Sequence, residues 1–337
     1  MLKHRSAVLA ATAGLPAHER LHALADAQCD RLPLPGQGQT LRRWHALAEV
    51  ASHDLSLAKL FEGHTDALAI LAELRAGGMA QAPQSLWGTW AAEAPDCRVR
   101  LAADGRLHGT KAWCSGAAHL THAVLTAWRD DGDVPQLVAV DLSQTGVQVA
   151  SGPWHAVGMA STGTAQVHFD AVPAQPVGAP GSYLTRPGFW QGGAGVAACW
   201  WGGARAIGHA LHRAAQALPA APATSPAAPY RWAALGGVDV ALATTGALLR
   251  ETAAWIDAHP DADACVHALR VRQAVEQAAR MVLDMTGRAL GATPYCMDEA
   301  FARMAADLPV FIRQSHAERD DASLGRNLSQ WEEPWTL

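Results

Sequence analysis

Hydrophobic residues change their spacing twice along this chain. From Ala17 to about Gly77, apolar residues recur every three or four positions, a spacing that predicts amphipathic helices. After Gly77 the spacing becomes two, in short apolar runs separated by Asp- and Gly-containing turns, which predicts β-strands. From about Pro187 the helical spacing returns and continues to Leu324. The pattern therefore predicts a helical region, a β region and a second helical region.

The β region and the second helical region contain well-separated elements. The predicted strands are Val99–Leu101, Arg106–His108, Ala123–Ala127, Gln136–Asp141, Val147–Val149 and Gln166–Phe169. The later predicted helices are Gly188–Ala217, Tyr230–His259, Ala262–Leu290 and Met297–Leu324, with an Ala/Pro linker between the first two. Many short strands indicate a barrel or sandwich, and long helices with short loops indicate an antiparallel bundle.

We therefore predict an α+β multidomain protein. Its parts are an N-terminal helical domain over residues 1–80, a central β-barrel or β-sandwich domain over 81–182, and a C-terminal antiparallel helical bundle over 183–337. A chain of 337 residues is long enough for two or three such domains.

Composition excludes several functional classes. Half of the residues are hydrophobic and 17% are charged, which is typical of a globular protein. The net charge is -5, with a pI near 6.3, and the basic residues are scattered, so nucleic acid is not an expected partner. The N-terminal segment lacks an apolar run of membrane-spanning length, and we expect a cytoplasmic protein without a membrane partner.

Cysteine and histidine are present without the spacing of metal ligands. The six cysteines form no CxxC pair, and most of the sixteen histidines lie singly among Ala and Leu at helical spacing. The sequence therefore predicts neither a metal site nor a disulfide framework.

Four short motifs follow one another in the β region. Leu107 opens the run Leu-His-Gly-Thr-Lys-Ala-Trp-Cys-Ser-Gly, which is followed by Trp154, by the pair Gly158-Met159 and by a strand that ends at Phe169-Asp170. Their order and spacing resemble the β-domain of the acyl-CoA dehydrogenase superfamily, which has a Leu-x-Gly-x-Lys turn, a Trp-x-Thr/Ser edge along the flavin, a Gly-Met turn and a Phe-Asp strand. The order helical domain, β-domain, helical bundle extends the resemblance over almost the whole chain.

The resemblance implies a flavin cofactor, FAD with FMN as an alternative, and a small-molecule acyl or carbonyl substrate. It places Trp113, Cys114 and Ser115 at the flavin ring and Trp90 in the remnant of a cofactor loop. Gly287 corresponds to one glycine of the adenine-binding turn. For Trp113, flavin stacking and plain core packing are equally compatible with the sequence.

The catalytic glutamate of the family is missing from both positions where the family carries it. Arg303 and Asp307 resemble the Arg-Asp pair that precedes the base, but gapless alignment places Ser315 where the glutamate would stand. The first bundle helix, from Gly188, has no acidic residue near its start. Another family feature, a helix that ends at a Gly-His pair beside the substrate, has a counterpart at Gly63-His64, where the alternative is an ordinary helix C-cap.

Three residues near the C-terminus are candidates to replace the missing base. His316, Glu318 and Asp320 are predicted within two turns of one helix, where His316 and Asp320 share a face, so that a carboxylate could orient an imidazole base. The alternative is a solvated helix end whose charges pair with Arg313 and Arg319.

Three functions remain open at this point. The first is a divergent flavin-dependent oxidoreductase that acts on an acyl-thioester or a related carbonyl compound. The second is a monooxygenase of the same fold that uses reduced flavin and a histidine near the carboxyl end. The third is a catalytically silent scaffold subunit. In the resembling family the bundle forms the subunit interface, so a homodimer or homotetramer is also expected.

Overall fold

The structure is a computed structural model, and it describes residues 2–81, 85–130, 132–150, 154–218 and 228–335. By their contacts these residues form two compact units. The first contains residues 1–34, 56–156 and 160–189, and the second contains residues 35–55, 157–159 and 190–337. The chain thus passes between the units more than once. The division into three domains stays a prediction.

The first unit contains helices packed on a sheet. Its helices are α1 (Leu2–Ala11), α2 (Ala17–Asp26), α4 (Leu55–Glu73, which begins at the junction) and the short α5 (Ser182–Thr185). Its strands are β1 (Trp87–Trp90), β2 (Val99–Leu101), β3 (Arg106–Cys114), β4 (His122–Arg129), β5 (Gln136–Asp141), β6 (Val147–Ala150), β7 (Ala165–Pro173) and β8 (Gln175–Pro176).

The strands form one eight-stranded sheet, curled as a whole, in the order β6-β7-β3-β2-β4-β5-β8, with β1 beside the start of β4. The pairs β1–β4 and β2–β4 are parallel, and the other pairs are antiparallel. One core cluster of this unit consists of buried residues from α4, from strands β1, β4 and β5, and from the position after β8: Ala67, Ile70, Leu71, Trp87, Val124, Leu137, Ala139 and Val177. The predicted strand region is therefore confirmed, with strands that extend further than the alternation indicated.

The Gly-x-Lys motif lies inside strand β3, not in a turn as predicted. Gly109 has a φ of +107°, at an irregularity in the pairing of β3 with β7. A Cβ atom on Gly109 would lie 2.5 Å from the carbonyl oxygen of Arg98, so the position requires glycine. The motif therefore marks a β-bulge, which the sequence alone does not distinguish from a hairpin turn.

The second unit is helical. It contains α3 (Thr40–His53), α6 (Gly188–Gln216, from Trp190 onward), α7 (Ala228–Ala258), α8 (Cys265–Leu290), α9 (Thr293–Met297), α10 (Glu299–Phe311) and α11 (Glu318–Leu328). The predicted helices of the bundle are confirmed to within a few residues, except the last. Most of the predicted Ala/Pro linker, which was expected over Leu218–Pro229, lies outside the described residues, at 219–227.

Polar and close-packed contacts fix α3 within the second unit. The carboxylate of Asp257, near the end of α7, accepts hydrogen bonds from the backbone N–H groups of Gly38 and Thr40 and from the Thr40 hydroxyl. These N–H groups lie just before and at the first residue of α3, so Asp257 caps that helix. A Cβ on Gly202 of α6 would lie 2.3 Å from the carbonyl oxygen of Ala48 in α3. The close approach of these two helices therefore requires glycine at position 202.

The last predicted helix is broken. Helix α10 ends at Phe311, a 3-10 turn covers Ile312–Gln314, and α11 begins only at Glu318. Between them Ser315 is extended and Ala317 has a φ of +45°. The prediction of one helix over Met297–Leu324 was therefore wrong, although this segment contains no glycine.

Helix α7 is long and apolar enough, by length and composition alone, to cross a membrane. A minority of its most apolar stretch is buried within the chain, and Tyr230 and Val240 are exposed. The rest of the described chain therefore covers less of this helix than its apolar sequence would predict.

Candidate functional site

An aromatic pair lies at the end of β3. Trp113 is 59% exposed, and its ring meets the ring of Trp154 edge-on, with centroids 6.4 Å apart and an interplanar angle of 84°. The φ of Trp113 is +61°, which is rare for a bulky residue and strains the backbone. The strain turns the ring out of the strand pattern, so that a flat apolar surface is accessible.

Three hydroxyl groups form a row that begins at Ser115, two residues after Trp113. Ser115 Oγ is 3.0 Å from Thr164 Oγ1, which is 2.8 Å from Thr162 Oγ1. Trp90 is buried and its indole N–H donates to the carbonyl oxygen of Ser115 at 3.1 Å. Trp90 therefore holds the backbone at Ser115, and the predicted residues Trp90 and Ser115 are brought together.

Cys114 points the opposite way from Trp113. Its side chain is fully buried, and its Sγ contacts the carbonyl oxygens of Lys111 and Ala112. Burial raises the pKa of the thiol to about 12. Its thiol is therefore inert and anchors the strand, and any contact with a cofactor would have to come from the backbone of Cys114.

A buried ion pair anchors strand β3 at Lys111, two residues before Trp113. Lys111 Nζ donates to Glu93 Oε1 at 2.8 Å and to Thr126 Oγ1 at 2.7 Å, and only 1% of the lysine side chain is exposed. Burial lowers the pKa of Lys111, against the opposing effect of Glu93. Burial tends to raise the pKa of Glu93, but hydrogen bonds from Lys111 and Thr126 outweigh it and lower that pKa. The lysine of the Gly-x-Lys motif thus has a structural role.

One buried polar atom at the aromatic pair has no partner among the described residues. The indole Nε1 of Trp154 is inaccessible to solvent, and no acceptor lies within hydrogen-bonding distance of it. A buried N–H without an acceptor is unfavourable by about 1–3 kcal/mol. A bound molecule could supply the acceptor only after the Trp154 ring turns, because the atom is covered in this conformation.

His64 is a buried residue whose surroundings the sequence did not reveal. Helix α4 runs through Gly63 and His64, so the predicted helix C-cap at Gly63 was wrong. His64 Nδ1 accepts from the backbone N–H of Trp87, and Nε2 lies 3.1 Å from Asp30 Oδ2. His64 thus links α4 to strand β1 next to Trp90.

Two motifs of the sequence meet inside the second unit. The N–H of Met159 donates to Asp307 Oδ1 at 2.5 Å, and a Cβ on Gly158 would lie 2.1 Å from the carbonyl oxygen of Ala306. The Gly-Met pair is therefore a docking turn for α10, and Asp307 is its acceptor.

His316 and Asp320 are in contact, but not on one helix as predicted. His316 precedes α11, and its backbone N–H donates to Asp320 Oδ2 at 3.0 Å while its Nδ1 lies 3.4 Å from Asp320 Oδ1. The imidazole is 56% exposed, whereas Asp320 is mostly covered. Asp320 in the first turn of α11 thus reaches back to both the backbone and the ring of His316.

The other predicted site residues lie apart from that pair. Glu318 is the exposed first residue of α11. Gly287 is inside α8, where a Cβ would lie 2.4 Å from the hydroxyl oxygen of Tyr295. Ser315, in the place of the family's glutamate, is buried, and its hydroxyl donates to Gln273 Oε1 at 2.7 Å. In the described ranges no three His, Cys, Asp or Glu side chains are grouped so as to hold a metal ion.

Comparison with known proteins gives matches in structure only. No protein family model matches the chain, and no curated protein matches its sequence. Among solved structures, FMN-bound TdsC, a dibenzothiophene monooxygenase from Paenibacillus sp. A11-2, aligns with a TM-score of 0.80 at 18% identity, covering 96% of this chain and 94% of that one.

Two further neighbours also align over almost the whole chain. KijD3 in complex with FMN and a dTDP-linked amino-keto sugar aligns with a TM-score of 0.76 at 20% identity, over 98% of this chain and 91% of that one. The methanesulfinate monooxygenase MsuC from Pseudomonas fluorescens aligns with a TM-score of 0.74 at 19% identity, over 99% and 98% of the two chains.

Two of these neighbours, TdsC and KijD3, were solved with FMN bound. The similarity spans almost the full length of both chains in each case, at an identity that establishes the fold alone. The chain therefore has the fold that these three proteins share.

Proposed function

We propose that this protein is a flavin-dependent oxidoreductase that uses reduced FMN to transfer one oxygen atom of dioxygen to a small-molecule substrate. The observation that carries the proposal is the exposed, strained Trp113 beside the unpartnered indole N–H of Trp154. The names of two neighbours, a dibenzothiophene monooxygenase and a methanesulfinate monooxygenase, support the reaction type.

The donor set at Trp113 fits an isoalloxazine ring. Trp113 offers a flat apolar face, which stacks favourably on a flat aromatic ligand. Trp154 Nε1 and the hydroxyl of Ser115 offer hydrogen bonds to the polar edge of such a ring. The side chains of Trp90 and Cys114 are buried, so we assign them to support of the backbone beneath this surface and not to contact with the ring.

FMN is the proposed cofactor rather than FAD. Gly287, the residue that would accommodate adenine, instead allows Tyr295 to pack on α8. Because the Tyr295 side chain occupies the space beside Gly287, this position gives no support for a bound nucleotide. The two neighbours solved with flavin contain FMN.

A thioester dehydrogenase fits the chain less well. That reaction needs a carboxylate base, and Ser315 occupies its place with its hydroxyl bonded to Gln273. Asp320 faces His316, and Glu318 is exposed to solvent. The acyl-thioester or carbonyl substrate remains the competing proposal.

His316 is the proposed proton-transfer group. Asp320 Oδ1 lies 3.4 Å from Nδ1, a position that favours the neutral ring with its proton on Nδ1 and leaves Nε2 as the acceptor. Reduced FMN, when bound, supplies the two electrons with which dioxygen yields one oxygen atom for the substrate and one molecule of water. The chain contributes the stacking face, the ring-edge donors and one imidazole that holds or releases a proton.

The test supplies reduced FMN, isotope-labelled dioxygen and indole as the probe substrate. We expect incorporation of one labelled oxygen atom into indole by the wild type. The Trp113→Ala and Ser115→Ala variants should bind reduced FMN more weakly, whereas Val134→Ala, at another exposed position of the same unit, should bind it normally.

Three results would contradict the proposal in different ways. Bleaching of bound flavin by octanoyl-CoA without dioxygen would establish the thioester dehydrogenase. A preparation that binds neither FMN nor FAD would establish the silent scaffold. Unchanged flavin affinity in both the Trp113 and Ser115 variants would place the flavin elsewhere.

We also propose that the protein is a cytoplasmic homodimer or homotetramer with no nucleic-acid or membrane partner. The exposed apolar residues of α7, such as Tyr230 and Val240, support a further protein surface over this helix. Light scattering at micromolar concentration tests the assembly, and a monodisperse monomer would contradict it.

A further inference from the structure

The turn that carries His316 is closed by a ring of three hydrogen bonds. Ser315 Oγ–H donates to Gln273 Oε1 at 2.7 Å, Gln273 Nε2–H donates to the carbonyl oxygen of Ala317 at 2.8 Å, and the Ala317 N–H donates to Ser315 Oγ at 3.2 Å. The ring therefore binds the residue before His316 and the residue after it to the same side chain of α8.

Gln273 is well suited to this role because an amide has both an acceptor and a donor. Its side chain is buried, only 5% exposed, and the ring uses its oxygen once and its nitrogen once. A carboxylate in its place could accept from Ser315 but could not donate to Ala317. An apolar side chain of equal length could do neither.

The backbone at Ala317 shows that the turn is forced. Its φ is +45° and its ψ is -114°, a region that residues with a Cβ rarely adopt. Such a conformation is unfavourable by about 1–3 kcal/mol and persists only where the surrounding contacts impose it. Here the contacts are the two hydrogen bonds of Ala317 within the ring and a third, which the N–H of Asp321 donates to the carbonyl oxygen of Ala317 at 3.0 Å.

A second anchor fixes the chain just before the ring. Arg272, the neighbour of Gln273, donates from Nη2 to the carbonyl oxygen of Gln314 at 2.9 Å and from Nη1 to that of Gly193 at 2.8 Å. Arg313 forms an ion pair with the buried Glu276, one turn further along α8. Residues 313–317 are thus bound at four successive places to one face of α8.

We infer that Gln273 is a positioning residue for His316. By holding Ser315 and Ala317, it directs His316 outward and places the first turn of α11 so that Asp320 meets both the N–H and the Nδ1 of His316. The consequence is a fixed tautomer, with the proton on Nδ1 and a free Nε2. This inference rests on the proposed function only where it concerns turnover, since the tautomer is a property of the protein without cofactor or substrate.

The test compares Gln273→Met and Ser315→Ala with Gln277→Ala, an exposed glutamine on the same helix. Nitrogen NMR of histidine-labelled protein at mildly alkaline pH reports which ring nitrogen carries the proton, and a His316→Ala sample assigns the signal. We expect the wild type and Gln277→Ala to hold the Nδ1–H tautomer, and both ring variants to shift toward the Nε2–H tautomer that predominates in free histidine. Ser315→Thr, which keeps the hydroxyl, should restore the wild-type signal.

Turnover is measured on the same proteins with reduced FMN and indole. Misplacement of a catalytic group by about 1 Å lowers kcat by up to ~100-fold, so we expect the ring variants to lose roughly 10-fold or more in kcat with little change in KM. An unchanged tautomer in folded Gln273→Met and Ser315→Ala would overturn the inference. A shifted tautomer with wild-type kcat would uphold the positioning and overturn the proposed role of His316.

Discussion

Trp113 and Ala317 both have a positive φ, but different forces hold them in place. Trp113 lies in a strand whose pairing with β7 continues on either side of it, at Lys111 and Cys114. Ala317 lies in a turn between helices, where one glutamine side chain binds the residues around His316. Strain in the strand is therefore shared by a ladder, a buried thiol and an ion pair. Strain at Ala317 is held by hydrogen bonds from one side chain of α8 and from the first turn of α11.

This difference predicts different sensitivity to substitution. No single hydrogen-bond deletion near Trp113 should release its backbone, because the ladder remains. One deletion in the ring should release Ala317. The aromatic surface is thus the more robust of the two candidate sites, and the histidine turn is the more easily altered.

The largest effect is expected where the strand depends on charge. Glu93→Ala leaves the buried ammonium of Lys111 without its carboxylate, and removal of one partner of a buried pair typically lowers stability by about 3–5 kcal/mol. Because Glu93 is partly exposed, we expect a value near the lower limit, about 3 kcal/mol. Urea unfolding measures it, with Asp104→Ala at the exposed Arg106 pair as the control.

The pH dependence of the same pair has a definite sign. The pKa of Glu93 is lowered in the folded state, since hydrogen bonds from Lys111 and Thr126 outweigh its burial. Its contribution to stability is therefore complete above the pKa of the carboxyl in the unfolded chain and is lost as the pH falls through the lowered value. Glu93→Gln should unfold with a weaker dependence on acid pH than the wild type. Equal dependence in both proteins would contradict the role assigned to Glu93.

The second effect concerns the flavin surface. Trp154→Phe keeps an aromatic ring but removes the N–H that has no partner in the described residues. A hydrogen bond contributes about 0.5–1.5 kcal/mol, so FMN affinity should fall by roughly 2-fold to 10-fold. Stability of the protein without flavin should not fall, because no hydrogen bond is lost. Fluorescence titration and thermal unfolding measure the two quantities, and a loss of stability with unchanged affinity would assign the indole to packing alone.

The third effect tests the strain at the turn. Ala317→Gly removes the Cβ that makes a φ of +45° unfavourable, and we expect stabilisation by about 0.5–1 kcal/mol. Ala322→Gly, at an exposed position inside α11, should destabilise by about 1 kcal/mol instead. Opposite signs in chemical denaturation would establish that the turn is strained. Destabilisation in both variants would show that it is not.

The smallest effect is an absence of reaction at Cys114. Its thiol is buried and its pKa is raised to about 12, so iodoacetamide should not modify it in the folded protein at mildly alkaline pH. Cys296 is exposed and should react readily. Mass spectrometry of the labelled protein distinguishes the two residues, and rapid labelling of Cys114 would mean that the end of β3 opens in solution.

Spacing along the sequence was sufficient for elements that bury one face. The strand alternation located β4 and β5, and the helical spacing located α6, α7 and α8 to within a few residues. Such patterns survive because burial acts on every second residue of a strand and on every third or fourth residue of a helix. The predicted order of helical and β regions agrees with the structure, whose fold TdsC, KijD3 and MsuC share.

Contacts between distant residues could not be predicted in this way. The break before α11 contains no glycine or proline, and two of its residues, Ser315 and Ala317, are bound by Gln273, which lies 42 residues before Ser315 in the chain. The contact of Met159 with Asp307 joins two motifs that were recognised separately. His64 looked like the residue after a helix, because Gly63 is a common helix terminator, yet its hydrogen bonds lie on β1 and Asp30. In each case a side chain determines local backbone structure at a distance that spacing does not reveal.

The cap that Asp257 provides for α3 has a consequence for the order in which the protein can be completed. Its partners Gly38 and Thr40 leave the ribosome more than two hundred residues before Asp257 does. During synthesis the start of α3 therefore has its N–H groups open to water until the end of α7 emerges, and a long loop must close before the second unit gains this contact. An N-terminal fragment that stops before α7 would carry α3 without its cap. For most of its synthesis the growing chain therefore contains an α3 whose first N–H groups lack their side-chain acceptor.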